Sequence, residues 1–177
     1  PTCAISARRH PLRALEVLLA VLLGLAVVLP WLDLGFGQAI SGLEMLRETS
    51  YADLTVRAVA ARAKVAPATA YTYFSSKNHL IAEVYLDLIR QAPFFTDVND
   101  SRLDRVQQAL RSLALVIADE PEVAVACTTA VLSNDAGVPR VRDRIGAEIH
   151  KRIKSALGPD ADPQIVSALE MTYYGAR

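Results

Sequence analysis

Apolar residues recur every third or fourth position through most of this chain, and this spacing constrains the fold more than any other feature. The clearest run is Val141, Ile145, Ile149, Ile153 and Leu157, where each residue lies four positions after the last. Such spacing places apolar side chains on one face of an α-helix. The sequence has neither the alternation of a half-buried strand nor an Asn-Gly hairpin turn. We therefore predict an all-α protein.

Capping residues, prolines and glycines divide this pattern into separate helices. Thr55 suits the position before a helix, Pro67 the first helical position and Gly158 a helix end. The predicted helices cover residues 38–48, 56–63, 67–74, 77–91, 103–117, 121–132 and 141–157, and a last one begins at 163. The fifth has a predicted buried stripe of Leu103, Val106, Leu110, Leu113 and Ile117. About half of the residues are apolar (52%), which allows a buried core.

Two of the predicted helices are short and nearly adjacent. The segment Lys64-Val65-Ala66 separates helix 56–63 from helix 67–74, which opens with Pro67-Ala68-Thr69. This is the layout of a helix-turn-helix, whose second helix enters the major groove of DNA while the first crosses the backbone. The formal net charge is zero. Neutrality does not exclude DNA binding, because phosphate contact depends on a local basic patch.

The wording of this segment is more specific than its layout. The stretches LTVRAVAARAKV over 54–65 and PATAYTYFSSK over 67–77, followed by Leu80, closely resemble the signature of the TetR family of transcriptional regulators. The earlier residues that fit the same pattern are Ile40, Leu43, Leu46, Glu48 and Tyr51. The resemblance implies a three-helix DNA-binding head at residues 38–84. It also implies a helical-bundle body at 85–177 that binds a ligand and dimerises.

The resemblance further implies which residues contact DNA. A threonine at a helix start can reach a phosphate, and residues at the start of the recognition helix face base edges. Tyrosine hydroxyls and lysine ammonium groups can reach the DNA backbone. The predicted DNA-binding residues are Thr55, Arg57, Lys64, Pro67, Ala68, Thr69, Tyr71, Thr72, Tyr73 and Lys77. Two alternatives are open: Arg57 and Lys77 could be solvated surface charges, and one of the two tyrosines could pack inward.

Three positions depart from the family pattern. Lys64 and Ser50 replace glycines that the family often carries, and Ala66 replaces a usual serine cap. The missing cap is expected to cost about 1 kcal/mol of helix stability. None of the three changes removes a type of DNA contact.

The body carries no strong motif, so its function follows from the resemblance alone. We expect a ligand-responsive repressor in which a homodimer reads a palindromic double-stranded DNA operator, since two-fold proteins read two-fold sites. A small apolar or amphipathic effector would shift the spacing of the two heads. The predicted pocket residues are Leu110, Leu113, Ile117, Cys127 and Val131. The chain runs from Pro1 to Arg177 and ends inside a helical pattern, so we expect a fragment that dimerises poorly and binds DNA weakly.

Residues 1–37 differ from the rest of the chain. An uncharged apolar run, Val17 to Leu32, follows Arg8, Arg9 and Arg13. It is shorter than the roughly 20 residues of a bilayer-spanning helix. The arginines would also keep the N-terminus inside and export the DNA-binding head. We favour a leader foreign to the fold; an ordered extra helix and a membrane segment are the alternatives. With the leader set aside, we expect a cytoplasmic protein.

No residue set indicates catalysis or a cofactor. Cys3 and Cys127 lie far apart, and His10, His79 and His150 are not clustered, so we expect no zinc site, no disulfide and no catalytic base. No phosphate loop, nucleophile elbow or paired carboxylate motif is present. We therefore expect a protein that is not an enzyme. The alternative function is a membrane-anchored or soluble helical sensor that binds a small molecule and does not contact DNA.

Overall fold

The computed structural model describes residues 42–94, 97 and 99–175, and all regular structure in these residues is helical. The all-α prediction is confirmed. The helices are α1 (residues 42–48), α2 (Val56–Arg62), α3 (Pro67–Tyr73), α4 (Lys77–Gln91), α5 (Arg102–Leu115), α6 (Pro121–Leu132), α7 (Val138–Leu157) and α8 (Pro163–Gly175). The leader, its apolar run and the predicted helix start at 38 lie outside the described residues. Among the described helices, none has the length and hydropathy needed to span a bilayer.

Local capping explains where most of the helices begin. The hydroxyl oxygens of Thr55, Ser76 and Ser101 each accept a backbone N–H from the first turn of the helix that follows, at 3.0–3.2 Å. Proline occupies the first turn of α3, α6 and α7. Gly158 ends α7 with a φ of +96°, a conformation that favours glycine. These signals are all local, which is why the predicted and observed ends agree closely.

Three arginines cap the C-terminal ends of neighbouring helices. Arg152 donates to three carbonyls at the end of α4, at 2.5–3.2 Å. Arg142 donates to two carbonyls at the end of α6, and Arg105 to one at the end of α7, each at 2.9 Å. The last carbonyls of a helix have no partner within it and carry partial negative charge, so a guanidinium from a neighbouring helix satisfies them. These contacts bind the helices of the body to one another.

The core is continuous from α1 to α8, and α4 lies at its centre. Helix α4 packs against α6 and α7, while α5 and α8 pack against α7. Seven residues of α4 are buried, and the hydroxyl of one of them, Tyr85, lies 3.2 Å from that of Tyr173 in α8. A single apolar cluster therefore joins all eight helices.

Leu103 is not part of that core. The predicted buried stripe of α5 included it, but its side chain is 66% exposed. The first turn of α5 lies beside the end of α7, where Arg105 donates to the carbonyl of Ala156. The side chain of Leu103 therefore lies outside the part of α5 that packs against α7. The buried stripe begins one turn later, at Val106.

The predicted boundary between head and body falls inside α4. This helix runs without a break from Lys77 to Gln91, and the boundary was placed after residue 84. Helix α1 contacts the same helix, because a Cβ on Gly42 would lie 3.3 Å from Val84. Helix α4 thus contacts both regions, and the division into domains at 38–84 and 85–177 stays a prediction.

Candidate nucleic-acid interface

The turn between α2 and α3 is a tight left-handed one. Lys64 has a φ of +56°, the only positive φ of a non-glycine residue in the described part of the chain. The backbone N–H groups of Lys64 and Val65 donate to carbonyls of α2 at 3.1 and 2.9 Å. This conformation costs an L-residue about 1–2 kcal/mol, which explains why a glycine was expected here. The Lys64 side chain is exposed and projects from the turn.

Helix α3 exposes most of its surface. Ala70 is its only buried residue, and Pro67, Ala68, Tyr71 and Thr72 are exposed, while Thr69 is half-buried. Its N-cap, Ala66, makes no side-chain hydrogen bond, as expected for alanine in place of serine. A helix that buries so little of itself is available to a partner along its whole outer face.

The two tyrosines of α3 point in different directions. Tyr71 is 53% exposed. Tyr73 packs against the core, with its hydroxyl oxygen buried and its ring 6.4 Å from that of Phe74. Tyr71 is therefore the tyrosine whose hydroxyl an external partner can reach in this conformation, and Tyr73 fixes α3 on the head. The hydroxyl of Thr72 donates to the carbonyl of Ala68 at 3.1 Å, within the helix.

Three cationic residues lie close to α3 along the chain. Arg57 and Lys64 are exposed and make no ion pair with any described residue. Lys77 lies at the start of α4, where its Nζ donates to the carbonyl of Tyr51 at 2.9 Å and sits 4.2 Å above that ring. An ammonium has three donors, so Lys77 keeps donors for a phosphate while Tyr51 fixes its position.

Other arginines near the head are neutralised by carboxylates. Arg62 at the end of α2 makes hydrogen bonds to Glu48 and a 3.3 Å contact to Glu44. Arg47 in α1 makes two 2.6 Å hydrogen bonds to Glu120, immediately before α6. These bonds lower the pKa of the Glu120 carboxyl. Arg57 and Lys64, which precede α3 in the chain, therefore keep their positive charge without an ion pair to any described residue.

Sequence reasoning missed a joint between the head and the loop 133–137, which connects α6 to α7. The Ser75 hydroxyl donates to the carbonyl of Ala136, and the Asn78 amide donates to Asp135 at 3.0 Å. The Tyr51 hydroxyl donates in turn to the Asn78 carbonyl oxygen. In the sequence this loop is only the gap between the predicted helices at 121–132 and 141–157. Its one visible signal was Gly137, since a loop glycine can mark a close backbone approach.

His79 fills the space beside that glycine. Its Nδ1 accepts the Ser75 N–H at 3.2 Å, so the neutral ring carries its proton on Nε2. A Cβ on Gly137, whose φ is +91°, would lie 2.6 Å from the same Nδ1. Burial lowers the pKa of His79, with Glu83 opposing the shift and Arg144 adding to it. The imidazole is thus a neutral packing element between head and body.

The predicted pocket residues differ in their burial. Leu113, Cys127 and Val131 are buried in the core, while Leu110 and Ile117 are half-buried at its edge. Val131 also lines a groove of about 600 Å³ between α6, α7 and α8. Burial raises the pKa of the Cys127 thiol to about 12, so it is unreactive near neutral pH. Within the described residues, no group of His, Cys, Asp or Glu side chains is arranged to hold a metal ion.

Comparison with known proteins relates this chain to one family. Residues 41–84 match the family model described as bacterial regulatory proteins, tetR family. The chain is 68% identical over 138 residues to uncharacterized HTH-type transcriptional regulators of Mycobacterium bovis and Mycobacterium tuberculosis. That match covers 77% of this chain but only 65% of each relative. A crystal structure of a TetR transcriptional regulator from Rhodococcus sp. RHA1 has the same fold, with a TM-score of 0.68, 24% identity and coverage of 78% of this chain and 76% of that one.

Proposed function

We propose that this chain is a DNA-binding transcriptional regulator of the TetR family that reads its operator with α3; the match of residues 41–84 to the family model and the 68% identity to HTH-type regulators support the family. The observation that carries this proposal is the surface of α3, which buries only Ala70 and is preceded in the chain by Arg57 and Lys64, two exposed cations with no ion pair to a described residue. A helix entering the major groove needs an exposed outer face, and phosphate contact needs unpaired positive charge beside it.

The proposed contacts fall into two groups. Base edges meet Ala68 and Thr69 at the start of α3, where a methyl or hydroxyl group suits a thymine. Phosphates meet the groups around it, because hydroxyls and cations position the protein without reading sequence. The proposed phosphate-contacting and flanking residues are Thr55, Arg57, Lys64, Pro67, Tyr71, Thr72 and Lys77. Tyr73, whose hydroxyl is buried, orients α3 in this proposal and makes no direct contact.

We propose the remaining properties for the complete protein. It forms a homodimer whose two heads read a palindromic operator. A small apolar or amphipathic effector bound in the body changes the spacing of the heads and releases the DNA. The protein acts in the cytoplasm as a repressor and is not an enzyme. The relatives' name, HTH-type transcriptional regulator, supports a regulatory role.

The test is fluorescence anisotropy on duplex DNA from the region upstream of the protein's own gene, at two salt concentrations. We expect affinity to fall steeply with salt. Tyr71→Ala should weaken binding about five- to tenfold, the worth of one hydrogen bond. Arg57→Ala should reduce the salt slope by about 0.9, the value for one phosphate contact. The side chains of Tyr71 and Arg57 are exposed, and so is that of the control residue Arg140 described next, so each variant should fold.

The matched control is Arg140→Ala on α7, an exposed arginine that makes no ion pair with the described residues. Binding by this variant should equal that of the unchanged chain. Equal losses in the Arg57 and Arg140 variants would show that only overall charge matters. Affinity unaffected by Tyr71→Ala and Arg57→Ala together would contradict the assignment of α3 as the reading helix.

A further inference from the structure

The body contains a groove that no predicted pocket residue lines. Helices α4 and α5 both pack against α7 without forming an extensive interface with each other. Between the second half of α4 and α5 this leaves a groove of about 550 Å³. An adjoining cavity of about 180 Å³, which shares Gln108 and Ser112 with the groove, extends to Phe94. Ligand sites of small molecules have volumes of about 300–1,000 Å³, so the groove is large enough for one.

The walls of the groove are mainly apolar. Leu88 and Ala92 line it from the last turns of α4, and Leu115 and Val116 line it from the end of α5. The side chain of Leu115 is half-exposed there. Apolar side chains left open to water on two facing helices gain free energy when an apolar molecule covers them.

One arginine is among the residues that line this groove. Arg111 lines the groove and makes no ion pair with any described residue. Gln108, which also lines the groove, donates its amide to Asp100 just before α5 at 3.0 Å. A guanidinium is always charged and offers a fork of donors that matches a carboxylate. An apolar channel with one such group selects a molecule that is apolar along its length and anionic at one end.

We infer that this groove binds an aliphatic carboxylate, with its chain along Leu88, Ala92 and Leu115 and its carboxylate on Arg111. The inference rests on the proposed function, since it names the chemical class of the effector. It assigns the ligand to a different surface from the predicted pocket residues, most of which pack in the core.

The groove lies where a ligand can act on α4. Its wall includes the last turn of that helix, and the adjoining cavity is lined by Phe94. The Phe94 ring lies 5.6 Å from the guanidinium of Arg152, which donates to three carbonyls at the end of α4. The aliphatic chain of a ligand that enters the cavity contacts Phe94. Because the Phe94 ring lies beside Arg152, this contact shifts the surroundings of the guanidinium that fixes the end of α4. The opposite end of α4, at Lys77, follows closely after the end of α3 at Tyr73.

The test is isothermal titration of the intact chain with decanoate below its micelle concentration, beside 1-decanol as the neutral probe of equal length. We expect saturable binding of one decanoate per chain and at least about tenfold weaker binding of decanol, the loss of a charge-assisted hydrogen bond. Arg111→Gln should reduce decanoate affinity to the decanol level. Leu115→Asp should abolish binding of both probes. Arg140→Gln, the same exchange at an exposed arginine on α7, should change nothing.

Each result counts for or against the inference. Absence of saturable decanoate binding would overturn it, as would equal binding of decanol or an Arg111→Gln variant that binds decanoate normally. Circular dichroism of each variant identifies any that fails to fold. Titration without DNA keeps this outcome separate from the proposed function. If the protein binds decanoate but not DNA, the proposed regulator function is refuted and the groove stands as the ligand site. If it binds DNA but not decanoate, the ligand site is refuted and the regulator function stands.

Discussion

The head (α1–α3) and the body (α5–α8) are stabilised in different ways. Helices α2 and α3 have seven residues each and bury three and one of them. Helix α7 has twenty residues and buries eight. Isolated helices shorter than about 12–15 residues are marginal in water, so short helices depend on tertiary packing. The long helices of the body therefore contribute a large share of the common core, while the conformation of the short head helices depends on what packs against them.

Much of what packs against the head belongs to the body. Arg47 pairs with Glu120 at the start of α6, and the loop 133–137 at the end of α6 contacts Ser75 and Asn78. The start of α6 is thus attached to α1, the loop after its end is attached to the segment where α3 is followed by α4, and α4 passes between the two regions. The position of α3 is therefore set by the body as well as by the head. Three substitutions test this, at the body, at the joint and in the head itself.

The largest effect is expected in the body, from Arg152→Met. The guanidinium is buried and is a donor to three carbonyls at the end of α4. Methionine fills similar space but leaves these acceptors without that donor. We expect the free energy of unfolding to fall by about 3–5 kcal/mol. Urea denaturation followed by circular dichroism measures it, with Arg140→Met as the exposed control.

The same experiment tests the dependence of the head on the body. Because α4 belongs to both regions, the head should unfold in the same transition as the body in the Arg152→Met variant. A loss below about 1 kcal/mol would mean that water replaces the guanidinium at these carbonyls. A second transition from a surviving head would show that the head is stable on its own.

A smaller and more local effect is expected at the joint, from Gly137→Ala. Both Gly137 and Gly158 have a φ above +90°, so alanine strains the backbone at either site by about 1–2 kcal/mol. Only at Gly137 would the new Cβ meet the His79 ring, at 2.6 Å; at Gly158 the nearest atom is 4.0 Å away, in Arg105. The clash should cost about 1–3 kcal/mol more.

Native-state hydrogen exchange locates that extra cost. We expect the amides of α2 and α3 to exchange faster in Gly137→Ala than in Gly158→Ala, while those of α7 change equally in both. Equal protection of α3 in the two variants would show that the loop 133–137 does not fix the head.

The helix boundaries could be predicted because the signals are local. Thr55 caps α2 through an amide three residues away, and Pro67 begins α3 by its own ring geometry. The left-handed turn at Lys64 was also predictable, from the glycine that the family pattern carries there. Such signals do not depend on the rest of the fold.

The joint and the groove could not be predicted in this way. Asn78 meets Asp135 across 57 positions, and Arg152 meets Ile89 across 63, so no local pattern marks either pair. The pocket prediction used apolar residues such as Leu113, which lie in the core. Core and cavity residues share the same apolar spacing, and a groove arises only where two helices diverge.

The smallest effect is expected in the head, where Ala66→Ser should stabilise the protein. Ala66 is the N-cap of α3 and makes no side-chain hydrogen bond there. A serine hydroxyl would accept one of the free N–H groups of the first turn, which is worth about 1 kcal/mol. If the head unfolds together with the body, the whole gain of about 1 kcal/mol appears in the free energy of unfolding, and the urea midpoint rises. If the head opens alone, only the protection of the α3 amides increases and the midpoint stays unchanged. Ala68→Ser, two residues further on and inside the first turn, is the control, because a hydroxyl there cannot take the N-cap position. An equal gain in stability from Ala66→Ser and Ala68→Ser would contradict a capping origin. The missing N-cap of α3 would then no longer be a reason to regard the head as the less stable region.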